Sequence, residues 1–299
     1  MRLATSTAEG AAALRAAGAR DRRLRGPDRL AQRFVPGGLR LTALVKVPLL
    51  RSLAPRLAES LMPGSYWYEL ARVRHMDGLL RDEIAAGARQ LVILGAGLDS
   101  RAHRLAHRLT GVTTFEVDHP AAGAFKRERV QRVFGALPTR VRYVDADLNE
   151  GGLGRALIAA GHRQDLRTIV LWSGVSPYLE ASGVGAVLDW VGGHTAPGSA
   201  LVFDYVFREA LDGSSWFYGA GELRRRVAAT GEPLVFGIPR GSCAALVGAY
   251  GLQLVSDHGP EELERRHLLC GERLAGRPYG FVSIAHARVP EVALHPGPP

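Results

Sequence analysis

The stretch Gln90 to Ser100, QLVILGAGLDS, decides the fold. It is a short apolar run that ends in Gly95-Ala96-Gly97, and polar helix-starting residues follow. A run this short, bounded by glycine, reads as a buried strand, and the stretch after it, Arg101 to Leu109, reads as a helix. The same unit repeats downstream. Thr113 to Asp118 (TTFEVD), Val141 to Val144 (VRYV), Thr168 to Trp172 (TIVLW) and Ala200 to Val206 (ALVFDYV) are strand-like. Helical stretches at Phe125 to Phe134, Leu153 to Ala160 and Gly183 to Val191 separate them. Strands alternating with helices of this length stack as βαβ units, so the fold class is α/β with a mostly parallel sheet and helices on both faces. Two further strands, Leu252 to Val255 and Tyr279 to Ala287, bring the sheet to seven and fit an antiparallel end.

The expected organisation is one domain over 1–299. Within it, 1–88 is an N-terminal helical cover and 89–206 the ligand-binding core. Residues 207–250 are a lid insertion rich in glycine and aromatics, 251–289 the last strands, and 290–299 a Pro-rich flexible tail. The cover reads as helices at Ala8 to Ala19, from Gly26-Pro27-Asp28 through Phe34, at Leu49 to Met62 and at Tyr66 to Ala85. Asp77 interrupts the apolar face of the last one.

Composition narrows the function classes. The chain has 299 residues, 46% hydrophobic and 22% charged, near the globular average. No apolar run reaches membrane-span length; the best, Leu39 to Leu50, is broken by Arg40, Lys46 and Pro48. Neither a membrane nor a secretory route is expected, and a cytoplasmic setting fits two cysteines, Cys243 and Cys270, without metal spacing. The net charge of +9 invites a nucleic-acid reading. Only Lys46 and Lys126 are lysines, however, and the arginines are scattered, so solvated arginine faces are expected and no nucleic-acid partner. No cluster has metal-ligand spacing, and oligomeric state is left open.

In a doubly wound sheet, ligands bind at the carboxyl ends of the strands. Gly95 and Gly97 sit there and let backbone approach a ligand closely. A dinucleotide fingerprint needs Gly or Ala at position 100, where this chain has Ser100 after Asp99. An acidic helix start suits a ligand bearing ammonium and sulfonium better than a pyrophosphate. Asp118 ends the second strand and can accept ribose hydroxyls. Asp147, followed by Leu148, ends the third and can take an adenine amino group while Leu148 packs on the ring. Plainer roles stay open for each: Asp99 as a helix cap, Asp118 and Asp147 as turn residues.

With these residues in view, the chain resembles the leucine carboxyl methyltransferase family, in its bacterial, secondary-metabolite branch associated with antibiotic biosynthesis. The matching segments are ARVRHMDGLL (Ala71 to Leu80), QLVILGAGLDSRAHRL (Gln90 to Leu105), FEVDHP (Phe115 to Pro120) with Lys126 after it, ADL (Ala146 to Leu148), LWSGVSPYLE (Leu171 to Glu180) and VFDYV (Val202 to Val206). STAEGAAALRA near the N-terminus resembles bacterial members as well. The resemblance implies a class I methyltransferase fold and S-adenosyl-L-methionine as cofactor. Gly95, Ala96 and Gly97 would pass beneath its methionine part, Asp118 would hold the ribose, and Asp147 with Leu148 the adenine. Arg72 would contact the methionine carboxylate. Arg74, about 200° further round a helix, cannot share that direction and reads as structural. Many members carry Glu where this chain has Ser173, so the contact to the cofactor ammonium lacks its charge here.

The acceptor is expected to be a carboxylate of a small aromatic or polyketide-like acid. A carboxylic acid is already ionised at neutral pH and needs only orientation, whereas a phenol benefits from a base. No histidine falls where such a base is needed: His119 reads as packed beside Pro120, and His194 lies in a loop. Tyr178 and Tyr205, near strand ends, are the candidate orienting groups, with core aromatics as the plainer reading. The competing functions are a methyltransferase acting on phenol oxygen, nitrogen or carbon, and a non-catalytic protein that binds the cofactor. A nicotinamide-dependent oxidoreductase is disfavoured by Asp99-Ser100.

Overall fold

The computed structural model describes residues 3–21, 24–35, 54–230 and 233–291. The apolar run 39–50, the first residues of the expected helix 49–62 and most of the expected tail lie outside them. Among the described residues, seven strands form one sheet in the order β3-β2-β1-β4-β5-β9-β6. The strands are β1 (Gln90–Leu94), β2 (Thr113–Asp118), β3 (Val141–Asp145), β4 (Thr168–Trp172), β5 (Ala200–Val206), β6 (Gln253–His258) and β9 (Val282–Arg288). β1 through β5 run parallel, and β9 lies antiparallel between β5 and β6. Every residue of β1, β4 and β5 is buried. That is why these segments are mostly apolar: layers cover both faces of the sheet, so neither side of the strand faces water, and the one acid among them, Asp204 in β5, is buried too.

The helices are α1 (Leu3–Gly18), α2 (Ala31–Phe34), α3 (Ala54–Leu61), α4 (Ser65–Ala85), α5 (Arg101–Arg104), α6 (Pro120–Phe134), α7 (Leu153–Ala159), α8 (Ala181–His194), α9 (Arg208–Asp212), α10 (Ala220–Thr230), α11 (Cys243–Gly248) and α12 (Pro260–His267). The chain is thus α/β, with a mostly parallel sheet between helical layers. None of these helices is long and apolar enough to cross a membrane. The stretch read as a helix to Leu109 stops as a helix at Arg104 and continues in turns. The sequence reading also missed α12 and a small hairpin, β7 (Leu269–Cys270) with β8 (Arg273–Leu274), both packed into the segment between β6 and β9.

Helix α4 is the axis of the cover. Tyr66, Trp67, Leu70, Met76 and Leu80 are buried, and the helix contacts α1, α3, α12, β4 and β5. Asp77, the apparent break in its apolar face, is buried and receives Arg101 Nε at 2.9 Å and Arg104 Nη2 at 2.7 Å. A buried carboxylate needs such partners. Asp77 therefore pins α4 to α5, just after the glycine turn. Arg74 donates to the His267 carbonyl at 2.6 Å and so joins α4 to α12, the structural role its angle implied.

Candidate functional site

The carboxyl ends of β1, β2 and β4 border a cavity of about 450 Å³. Its floor is the turn after β1. Gly95 (φ +59°) and Gly97 (φ +41°) both take left-handed backbone, and a side chain on Gly95 would meet Val175 Cγ2 at 2.3 Å. Glycine is required there twice over, by dihedral and by space. Asp118, at the end of β2, accepts from Gly97 N at 2.6 Å and from His119 N at 2.8 Å. Burial raises its pKa, opposed by those two backbone donors. His119 caps α6, accepting from Ala121 N at 3.3 Å.

Below the turn, β2 and α6 bury an ion pair. Lys126 Nζ lies 2.7 Å from Glu116 Oε1, with both side chains almost fully enclosed, and 3.4 Å from the Ala96 carbonyl. Burial holds the Glu116 carboxyl up to about 7 even though Lys126 pulls it down. One of the chain's two lysines thus supports the glycine turn from beneath.

The opposite wall comes from α4 and β5. Asp204 is the hub, accepting from Tyr68 Oη at 2.6 Å, Arg72 Nη1 at 2.8 Å and Gly174 N at 2.6 Å. Arg72 also bonds Glu69 and lies over the Tyr68 ring. Gly174 has φ +72°, and a side chain there would sit 2.5 Å from Arg72 Nη1. The Asp204 hub therefore fixes both Arg72 and the loop after β4 that carries Ser173. Asp204 was not foreseen, although a lone acid inside the apolar run ALVFDYV was a visible signal.

The N-terminal cover closes the front. Ala8, Ala11 and Arg15 of α1 line the cavity. Arg15 donates to the Leu98 carbonyl at 2.9 Å and to Asp28 at 3.1 Å, while Asp28 also takes Ser100 Oγ at 2.7 Å and Ala31 N at 2.9 Å. Asp28 thus ties α1, the start of α2 and the glycine turn together. Asp99 is on the wall, but its carboxylate is held by Arg101, through the backbone N–H at 2.7 Å and through the guanidinium. These donors pull its pKa down against burial. The segment between β5 and β6 adds Pro233 and Val235 to the wall, where Val235 N and Phe236 N reach the Pro177 carbonyl at 2.8 and 3.1 Å.

The cavity brings together Arg72, Gly95, Ala96, Gly97, Asp118, Ser173 and Tyr178. Asp147 and Leu148 are close by, since Ala146 N bonds the Asp118 carbonyl, yet they stand off the wall. Asp147 accepts from Asn149 N at 2.9 Å in a turn, and Leu148 packs into the core. Tyr205 is corrected by strand geometry. Successive residues of a strand face opposite sides, and with Asp204 facing the cavity wall, Tyr205 faces away. Its hydroxyl donates to Asp257 at 2.7 Å on β6, so it is a core aromatic with a satisfied hydroxyl and not a group that orients a ligand in this cavity. His194 is exposed at the end of α8, away from the wall.

Comparison with known proteins agrees with this architecture. A protein of Streptomyces avermitilis from the DUF574 family superposes with a TM-score of 0.57 at 17% identity, covering 81% of this chain and 91% of its own, a likeness of fold. YktD of Bacillus subtilis, assigned by name as an S-adenosyl-L-methionine-dependent methyltransferase, is 27% identical over 194 residues, 65% of this chain and 64% of YktD. A Frankia alni protein of the same designation, FRAAL3836, is 40% identical over 134 residues, 45% of this chain and 47% of its own length. The chain thus spans between about half and two thirds of the length of these relatives. The profile of the family described as leucine carboxyl methyltransferase matches residues 8–192, from the first covering helix through α8. By that match, over more than half of its length, the chain belongs to the leucine carboxyl methyltransferase family.

Proposed function

We propose that the chain catalyses methyl transfer from S-adenosyl-L-methionine to a carboxylate oxygen of a small acid. Cofactor and reaction type come with the family; the acceptor is a further step. The wall fits an adenosylated amino acid in three respects. The glycine turn leaves bare backbone at the cavity floor. Asp118 keeps a lone pair on each oxygen beyond its two backbone bonds, open to ribose hydroxyls. The volume lies within the range of small-molecule sites. When bound, the cofactor supplies a methyl group on a positively charged sulfur, an electrophile that needs an aligned nucleophile.

The observation that carries the carboxylate reading is the chemistry of the wall. Among its described residues are Arg15, Arg72 and Arg101, four carboxylates and Tyr178, but no histidine, lysine or cysteine. A carboxylate acceptor arrives ionised and asks only to be positioned, whereas a phenol asks for a base near neutral pH, so a wall without an imidazole or amine supports the first reading. Tyr178, on the turn Ser176–Tyr178 after β4, is the wall hydroxyl suited to orient the acceptor.

The test is incubation with a methyl-labelled donor and a panel of small aromatic and polyketide-like acids, phenols and amines. Label that appears on the acids and is released by mild alkali identifies methyl esters. Alkali-stable label confined to phenols or amines would reject the carboxylate reading and leave the methyltransferase assignment standing.

A further inference from the structure

The zwitterionic end of the cofactor needs a negative partner for its ammonium group, and position 173, at the end of β4, offers only a serine hydroxyl. The wall supplies a carboxylate from elsewhere. Glu69, one helical turn before Arg72 on α4, lines the cavity with its side chain 7% exposed. Its Oε1 is taken by Arg72, but its buried Oε2 has no hydrogen-bond donor. The ion pair from Oε2 to Arg15 Nη1 measures 3.8 Å, beyond hydrogen-bond reach. Of the other enclosed carboxylates of the wall, Asp99 is paired with the Arg101 guanidinium, and each oxygen of Asp118 already accepts a backbone N–H and keeps only the lone pairs assigned above to ribose hydroxyls. Glu180 is exposed.

A buried acceptor without a donor is costly, and native structures rarely keep one unless something completes it. A hydrogen-bond donor small enough to enter beside Arg72, Ser173 and Gly174 would complete it, and a cationic one offsets the carboxylate charge best. We infer that Glu69 Oε2 receives the α-ammonium group of the cofactor, supplying from α4 the charge that Ser173 does not carry. This rests on the cofactor reading above. In this arrangement Arg72 does two things at once. It holds Glu69 Oε1, so Oε2 is aimed, and it leaves the Glu69–Arg72 pair neutral until the ligand arrives with its own positive and negative ends.

The test is calorimetric titration with two ligands, S-adenosylhomocysteine and its analogue with hydrogen in place of the α-amino group. The wild type is expected to prefer the amine by about ten- to hundred-fold, the value of a charge-assisted hydrogen bond. Glu69→Gln is expected to lose that preference while binding the deaminated analogue as before, because Arg72 keeps Asp204. Ser173→Glu introduced into the Glu69→Gln protein is expected to restore much of it by returning a carboxylate to the same wall. Equal weakening of both ligands by Glu69→Gln would overturn the inference and leave Glu69 a support for Arg72. So would a wild-type preference below about three-fold, a result that does not depend on any variant folding. Binding of neither ligand by the wild type would instead remove the cofactor reading itself.

Discussion

Beneath the cavity the buried polar groups are ion pairs, whereas at the seam between α4, β6 and α12 they are imidazole rings bonded to one another. The first region holds Lys126–Glu116 at 2.7 Å, Arg101–Asp77 at 2.9 Å and Arg72–Asp204 at 2.8 Å. In the second, His75 Nδ1 lies 2.9 Å from His267 Nε2, and His258 Nδ1 lies 2.9 Å from His75 Nε2. His258 Nε2 then faces Glu262 at 3.3 Å. With every ring carrying its proton on Nε2, the chain runs in one direction, from His267 through His75 and His258 to the carboxylate. Burial lowers the pKa of His75 to about 3 and of His267 to about 4, with neighbouring cations adding to the effect, and that of His258 is lowered too. The rings are therefore neutral near pH 7. The contrast is instructive. On the reading proposed above, charges are buried where a charged ligand would meet fixed, oriented dipoles, and apart from the open oxygen of Glu69 the named ones are already paired. Where the task is only to dock one helix on another, neutral hydrogen bonds suffice.

The contrast can be broken first at Lys126. Lys126→Met strands Glu116 and should cost about 3–5 kcal/mol in denaturant unfolding, whereas Lys126→Met with Glu116→Leu should recover most of it. A double variant as unstable as the single would show that the pair's charge is itself needed under the turn. Next is Asp204→Asn, which keeps shape but removes the charge shared by Tyr68, Arg72 and Gly174. The expected loss is about 2–3 kcal/mol, with weaker S-adenosylhomocysteine binding in the same protein. Intact binding would detach the hub from the cavity.

The seam makes the opposite prediction about pH. A histidine whose folded pKa is depressed binds its proton more readily when unfolded, so stability is full above about pH 6.5 and falls as pH drops toward the folded value. One such ring should cost about 2 kcal/mol between pH 6.5 and pH 5, and His75→Gln should flatten that part of the stability profile. A variant with an unchanged slope would locate the pH response elsewhere. The smallest effect is expected from Tyr205→Phe: about 1 kcal/mol from the lost bond to Asp257, and unaltered methyl transfer. A large loss of turnover with normal stability would return Tyr205 to the reacting groups.

The same division explains what could be read from the sequence. β1, β2, β4 and β5 were legible to the residue because each is a short, mostly apolar stretch bounded by turn residues, with acids only in β2 (Glu116 and Asp118) and β5 (Asp204), and the glycine turn announces itself by composition. Gly95 and Asp118 were placed at one edge by the βαβ pattern, and Ser173 was added to them by the family resemblance. Glu69, Asp204 and Asp28 were not, because each matters through partners 3 to 136 residues away, such as Arg72, Ser100 and Tyr68, and chain separation carries no trace of such meetings. Tyr205 was misplaced for a simpler reason: nearness to a strand end says nothing about which face a side chain takes until a neighbour fixes the parity. α12 and the small hairpin escaped notice because they are mostly polar and short.

The position of β9 has a consequence for how the chain is made. The last strand of the described residues, it is threaded between β5 and β6 and pairs with β5 from Ala200↔Arg288 to Val206↔Val282. During synthesis β5 and β6 leave the ribosome with open edges and nothing to separate them, while β1 to β5 can already assemble. The gap closes only when residue 288 has emerged. Until then the nascent chain carries two unpaired hydrogen-bonding edges that are templates for association with other chains. Translation stalled before Val282 should yield a protein that aggregates rather than one that is merely shorter.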